Sequence, residues 1–201
     1  MNTSGHNVLR QTHPDRLRYL LLQNRANKNL LWLYDEHCLD KDHVGFVRFN
    51  HAVDDKLYFD LSRKANNQDH HLSILSQATD AEGGTRLYAA LNKCVTMAIE
   101  SGNEFDSWVI ALTDGESAWD FPAKQVISRI AKFNKSGGPN IHVVIIGFEV
   151  PSEVGESVAA ITSITDKSLY IDARGGLDEM DNAFEQVAAV ITGTAVTMET
   201  F

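Results

Sequence analysis

The sequence is short of almost everything that would staple, anchor or steer a chain. Its two cysteines, Cys38 and Cys94, cannot build a disulfide framework or a four-cysteine zinc site. Both fall in expected helices beside apolar residues, so they read as buried free thiols. No apolar run approaches the ~20 residues that cross a bilayer. The opening MNTSGHNVLRQ lacks the apolar core of a signal peptide, which points to a reducing, cytoplasmic setting. Basic residues are in deficit, 18 Lys and Arg against 27 Asp and Glu, for a formal net charge of −9. That balance argues against nucleic acid and anionic membrane, since both reward a basic face, and it is compatible with cation binding. No phosphate loop ending in Lys-Ser or Lys-Thr is present, and no nucleophile–base pair, so the chain is not expected to be an enzyme. The adjacent His70 and His71 would point about 100° apart on a helix, which makes them exposed polar residues and not a metal pair.

What is present is ordinary soluble material. At 201 residues, 43% hydrophobic and 22% charged, the chain suits one domain that buries roughly 70% of its unfolded surface. No repeat, low-complexity segment or linker marks a second domain, so 1–201 reads as a single unit with 193–201 as a tail. Thr12-His-Pro-Asp15 has the chemistry of a helix start, and a helical pattern continues to about Asp40 with Leu17, Leu20, Leu21, Leu30, Leu31 and Tyr34 as core candidates. HVGFVRFN (43–50) and KLYFD (56–60) read as strands, and SRKANNQDHH as a solvated loop leading to a short helix around Leu72 to Ala78. A helix is expected from about Arg86 to Glu100, then the strand SWVIALTD (107–114). The next helix opens at Pro122 and stops at Ser136-Gly-Gly138. IHVVIIGF (141–148) and SLYIDA (168–173) read as strands on either side of the helix SEVGESVAAITSI (152–164). A last helix runs from Leu177 to Thr192, with Leu177, Met180, Phe184, Val187 and Ile191 on one face.

Strands alternating with helices, and central strands apolar on both faces, predict an α/β fold: a doubly wound, mostly parallel sheet with helices on both faces. Ligands of such sheets sit at the carboxyl ends of the strands. Asp114 lies there, at the end of the buried run Val109-Ile110-Ala111-Leu112.

Three loops carry the candidate chemistry: DGES (114–117), EGGTRLYAAL (82–91) and the opening NTSGHN (2–7). Singly they are a turn, a helix cap and a polar terminus. Together they resemble the von Willebrand factor type A domain. DHVGFVRFN is similar to that family's second strand, GGTRLYAAL to its threonine loop and following helix, and WVIALTDGES to its fourth strand and aspartate loop. IHVVIIGF and LDEMDNAFEQVAAVI match its last parallel strands and final helix in order and character.

The resemblance implies a Rossmann-like fold and a metal-ion-dependent adhesion site. In the family that site takes an Asp-x-Ser-x-Ser loop, a threonine from the second loop and an aspartate from the third. The last two roles pass to Thr85 and Asp114, and Asn2 and Ser4 take the first-loop positions. A hydroxyl and a carboxylate suit Mg²⁺ or Mn²⁺, hard cations that want oxygen ligands. The implied partner is a protein that completes the shell with an acidic side chain; no nucleic acid and no membrane are implied.

Two features depart from the family pattern. Asn2-Thr3-Ser4-Gly5-His6 stands where the family has Asp-x-Ser-Gly-Ser, so one carboxylate is lost and His6 offers a nitrogen that Mg²⁺ accepts poorly. Only Met1 precedes Asn2, so the first central strand is expected to be missing or truncated, with TAVTMET (194–200) a possible substitute. The alternatives to a metal-assisted module are a metal-independent scaffold of the same fold and, less favoured, a cation-dependent phosphohydrolase built on Asp114.

Overall fold

The computed structural model describes residues 25–49, 53–76 (the backbone alone at 54–57), 85–102, 105–113, 121–148, 150 and 158–193. Helix α1 covers 25–32 and runs into a π-helical turn, Leu33–His37. Strands β1 (His43–Phe49) and β2 (Val53–Arg63) form an antiparallel hairpin. Helices α2 (Lys64–Leu75) and α3 (Leu87–Glu100) follow, then β3 (Ser107–Thr113), α4 (Ala123–Asn134) and β4 (Ile141–Gly147). The chain ends its described course with α5 (158–162), β5 (Leu169–Asp172) and α6 (Leu177–Thr192). Strands β3, β4 and β5 pair in parallel, in that order, with a helix in each connection, as parallel neighbours require. This is the expected α/β architecture.

The pleat of β4 explains why it has no polar face. Ile141, Val143 and Ile145 pack with Leu87, Leu91 and Val95 of α3, Val126 and Ile130 of α4, and Val158 and Ile161 of α5. The alternate residues Val144 and Ile146 pack with Met180, Phe184 and Val187 of α6 and with Ala26 of α1. Helices therefore cover both faces, and all seven residues of β4 are buried. A third cluster, Tyr34, Phe59 and Leu75, sits between the π turn, β2 and α2.

Helix α6 buries Met180, Ala183, Phe184 and Val187 at i, i+3, i+4 and i+7, carries Asp178 and Glu179 in its first turn, and ends on Gly193 at φ 71°. An acid at the start and a left-handed glycine at the end are what a helix terminus favours. Its exposed side clamps α1. Arg25 donates through Nε to Asp181 Oδ1 at 2.6 Å and through a terminal nitrogen to Oδ2, and Asn29 donates to Oδ1 at 2.8 Å. The Arg25 hydrogen bond is the chief reason the Asp181 carboxyl is pulled down to about 2. A depressed carboxylate stabilises the fold above its unfolded pKa and stops doing so as pH falls through its folded one. The thermal midpoint of Asp181→Asn is therefore expected to fall less than the parent's between pH 4 and pH 2.

The structure departs from the sequence reading in several places. SRKANNQDHH is not a solvated loop: β2 extends to Arg63 and α2 starts at Lys64, well before Leu72. Lys64, His71 and Leu75, spaced seven and four apart, share one helical face and are buried. His71 is accordingly 0% exposed, and of the two adjacent histidines only His70 is exposed. Cys38 is extended and ends the π turn, so it is not helical. Cys94 does pack against the core, where burial pushes its thiol up to about 11. Leu177 is 39% exposed although its spacing put it on the core face.

Helix α3 packs against β1, β2 and β3 together, yet the hairpin and the parallel sheet are separate ladders, and among the described residues no strand joins them. A missing central strand is consistent with this. The expected helix start at Thr12 to Asp15, the core candidates Leu17, Leu20 and Leu21, and TAVTMET lie outside the described residues.

Candidate metal centre at the carboxyl rim

The three parallel strands end level. Thr113 pairs with Gly147, and Gly147 with Asp172. The ladder continues one residue further, because Phe148 N–H donates to Thr113 O at 2.8 Å and Ala173 N–H to Gly147 O at 2.9 Å. The rim is thereby closed by backbone bonds on the β4 side, and Thr113, 4% exposed, delivers the chain into the Asp114 loop from a fixed point. A side chain larger than hydrogen has no room at Gly147: a Cβ there would lie 2.6 Å from Val150 Cγ2 and 2.8 Å from Tyr170 Cε2.

Thr85 comes toward the same end of the sheet by a different route. Helix α3 lies on β3 and joins its amino end through the short connection 101–106. The helix must then run antiparallel to the strand. Its 14 residues rise ~21 Å, and the seven of β3 span ~23 Å. The start of α3 therefore comes level with the end of β3. Thr85, two residues before Leu87 and 8% exposed, accordingly lies toward the carboxyl end of the sheet. Leu87, 0% exposed, anchors that end of the helix in the core.

Of the four residues expected to hold a cation, Thr85 is described; Asp114, Ser4 and Asn2 lie outside the described residues. Thr85 offers the kind of oxygen a hard cation accepts, and in the sequence Asp114 follows Thr113 directly. Among the described residues there is no group of three or more His, Cys, Asp or Glu that could hold a metal.

One cluster at the opposite, amino ends of the strands has the look of chemistry. His142, 2% exposed, meets Thr165 Oγ1 through Nδ1 at 2.8 Å and Asp106 Oδ2 through Nε2 at 3.3 Å. Each outer group is tied to backbone as well. Asp106 Oδ1 accepts from Asn140 N–H at 2.8 Å, the main reason its carboxyl is held below the usual range. Thr165 Oγ1 accepts from Ser168 N–H, and Ser168 Oγ from Val143 N–H. The chain from carboxylate to imidazole to hydroxyl binds the starts of β3, β4 and β5 to one another.

A family model for the von Willebrand factor type A domain matches residues 28–183. Among solved structures, the chain is similar to proximal thread matrix protein 1 from the mussel byssus, with a TM-score of 0.62 and 18% identity, covering 84% of this chain and 42% of that one. It is similar to a von Willebrand factor type A protein from Catenulispora acidiphila, at 0.62 and 15%, covering 88% and 39%. It is also similar to the manganese-loaded TRAP protein of Plasmodium vivax, at 0.56 and 15%, covering 89% and 67%. At these identities the likeness is one of fold. The chain spans about two fifths of the first two proteins, 42% and 39% of their lengths. No curated protein sequence matches it.

Proposed function

Because the chain belongs to the von Willebrand factor type A family, whose domains generally serve protein interaction, we propose that it binds a protein partner through a divalent cation at its carboxyl rim. Thr85 and Asp114 are the principal ligands, with Ser4 and Asn2 supplying weaker oxygens from the opening loop. The partner's carboxylate takes the remaining position. What supports this reading is that α3, packed on β3 and running antiparallel to it, starts just after Thr85 on the side where β3 ends and leads in sequence to Asp114. A manganese-loaded protein of the same fold is in keeping with it.

The chemistry asked of these residues is modest. The carboxylate supplies charge and the hydroxyl supplies geometry, while the bound Mg²⁺ or Mn²⁺ presents a concentrated positive charge to an incoming acid. An acidic chain of net charge −9 otherwise repels acidic partners, so the cation reverses the local sign. Among the described residues no helix is long and apolar enough to cross a membrane. We take the domain to be one unit over 1–201 and read its role as binding and not catalysis.

The test is direct titration of the full chain with Mn²⁺ and with Mg²⁺. Binding in the millimolar range or tighter is expected. Asp114→Ala should weaken it by at least about tenfold, the low end of what losing mere supporting partners brings, with the thermal midpoint unchanged. No heat at millimolar metal, or equal affinity in Asp114→Ala, overturns the cation mechanism. That outcome selects the metal-independent scaffold, which is favoured by one observation: Asn2 and His6 stand where the family pattern has Asp and Ser.

A further inference from the structure

The most completely buried ionisable cluster among the described residues lies where α1 ends, between the π turn, β2 and α2. His71, 0% exposed, uses both ring nitrogens: Nδ1 lies 3.1 Å from the Tyr34 hydroxyl and Nε2 lies 2.8 Å from Ser62 Oγ. Its ring stacks on Phe59, with centroids 4.2 Å apart and planes 13° from parallel. A neutral imidazole has one donor and one acceptor nitrogen, and two hydroxyls that can each give or accept satisfy either tautomer. His71 therefore links the π turn (Tyr34), β2 (Phe59 and Ser62) and its own helix α2 in a single contact.

Among the described residues, none of the groups in contact with this ring is an anion that could balance a second proton. The π turn brings Tyr34, and β2 brings Phe59 and Ser62. The packed residues of β1 are Val44 and Phe46, neither ionisable. On α2 itself the neighbours are His70, whose ring centroid is 6.3 Å away, and Lys64, a buried cation two turns back on the same face. Lys64 Nζ lies 4.7 Å from the Tyr34 ring, and Asp35 and Asp40 act on Tyr34. The ionisable groups of α2 that share its buried side or touch the ring, Lys64 and His70, are thus basic, and the acid of that helix, Asp69, is exposed.

The first described turn and the end of α1 are held differently. At its first described turn Arg25 and Asn29 grip Asp181 of α6. At its end the Leu33–His37 turn depends on Tyr34, through His71, and on backbone carbonyls held by Lys64. We propose that His71 is an acid-sensitive latch: as a neutral imidazole it ties the Leu33–His37 turn to β2 and α2, and a second proton releases that turn while the first described turn of α1 stays clamped to α6. Burial, and then the proximity of His70, hold the imidazole below the ordinary histidine range. Once opened to water the ring regains that range. The latch is fully effective above the ordinary histidine pKa of ~6.5 and weakens as pH falls from there toward the folded value. A π-helical turn at the moving end suits this role, because such turns break the regular ladder.

The experiment is hydrogen exchange on the full chain between pH 7.5 and pH 5, with NMR titration of the His71 ring. The ring should titrate below free histidine added as a reference. Opening of the Leu33–His37 amides, corrected for intrinsic exchange, should rise about tenfold for each pH unit below the ordinary histidine range. The α6 amides should not follow. His71→Phe keeps a ring against Phe59 and should remove the pH dependence of the turn. A His71 ring that titrates at or above free histidine overturns the proposal, as does protection of the turn that is flat through that titration. Opening of α6 in step with the turn also overturns it, since the event would then be global. If His71→Phe does not fold, the titration and exchange of the parent protein decide the matter alone.

Discussion

Phe184→Ala is expected to lower the free energy of unfolding by about 3–5 kcal/mol, the range for truncating a buried phenylalanine. Phe184 is 1% exposed and fills the space between α6 and the alternate residues Val144 and Ile146 of β4, with Ile171 of β5 beside them. Removing the ring leaves a hole walled by strands that are themselves fixed on their other face by α3 and α4, so collapse into it is limited. A domain of this size is stable by only ~5–15 kcal/mol, so the loss is a large share of the whole. Urea unfolding should show a lower midpoint at unchanged slope. Leu177→Ala, on the same helix but 39% exposed, is the control and should stay within about 1 kcal/mol. Equal losses in the two variants would mean that α6 does not pack on the sheet as described.

That contrast shows how far periodicity alone reaches. Leu177, Met180, Phe184, Val187 and Ile191 share one face by spacing, and the three central positions are indeed buried. Spacing cannot say where a helix outruns the sheet beneath it, and Leu177 stands in the first turn, where little covers it. The parallel strands were legible because β4 is apolar at almost every position, a pattern only a sheet covered on both faces tolerates. Pro122 and the Ser136-Gly-Gly138 stop bracketed α4 closely. Of the candidate metal centre, Thr85 is the one described residue, two positions ahead of α3. Asp114, Ser4 and Asn2 lie outside the described residues, so the centre as a whole rests on their chemistry.

The hairpin side was misread for a physical reason. Composition made SRKANNQDHH look solvated, because a lysine and two histidines among asparagines are the residues water ordinarily keeps. Burial there is decided by polar groups that satisfy one another: a hydroxyl on each imidazole nitrogen, and carbonyls around the ammonium. Ser62 lies within the stretch, but the other partners, Tyr34, Asp35 and Cys38, come from the preceding helix end. The one signal available was Lys64, His71 and Leu75 on a single helical face. It is weak while only one of the three is apolar.

Lys64→Met tests that arrangement and should lower stability by about 2–4 kcal/mol. The last carbonyls of any helix lack partners within it. Here Cys38 leaves the π turn in an extended conformation, φ −93° and ψ 125°, so no left-handed residue turns the chain back to cap them. Lys64 Nζ does so instead, donating to Tyr34 O and Cys38 O at 2.8 Å each and to Asp35 O at 3.3 Å, with the side chain 5% exposed. The ammonium lies in the first turn of its own helix, where the dipole opposes it, and at the end of α1, where the dipole favours it. The carbonyls decide the balance. Methionine keeps the length and most of the volume of the stem, so its effect isolates the lost donors from a cavity. Lys93→Met is the comparison: Lys93 Nζ sits 3.5 Å from the Tyr58 ring centroid, a contact worth only ~0.5–1 kcal/mol when solvent is near. If the Lys64 variant were no worse than the Lys93 variant in urea, water would have taken over the carbonyls, and the end of α1 would not depend on this lysine.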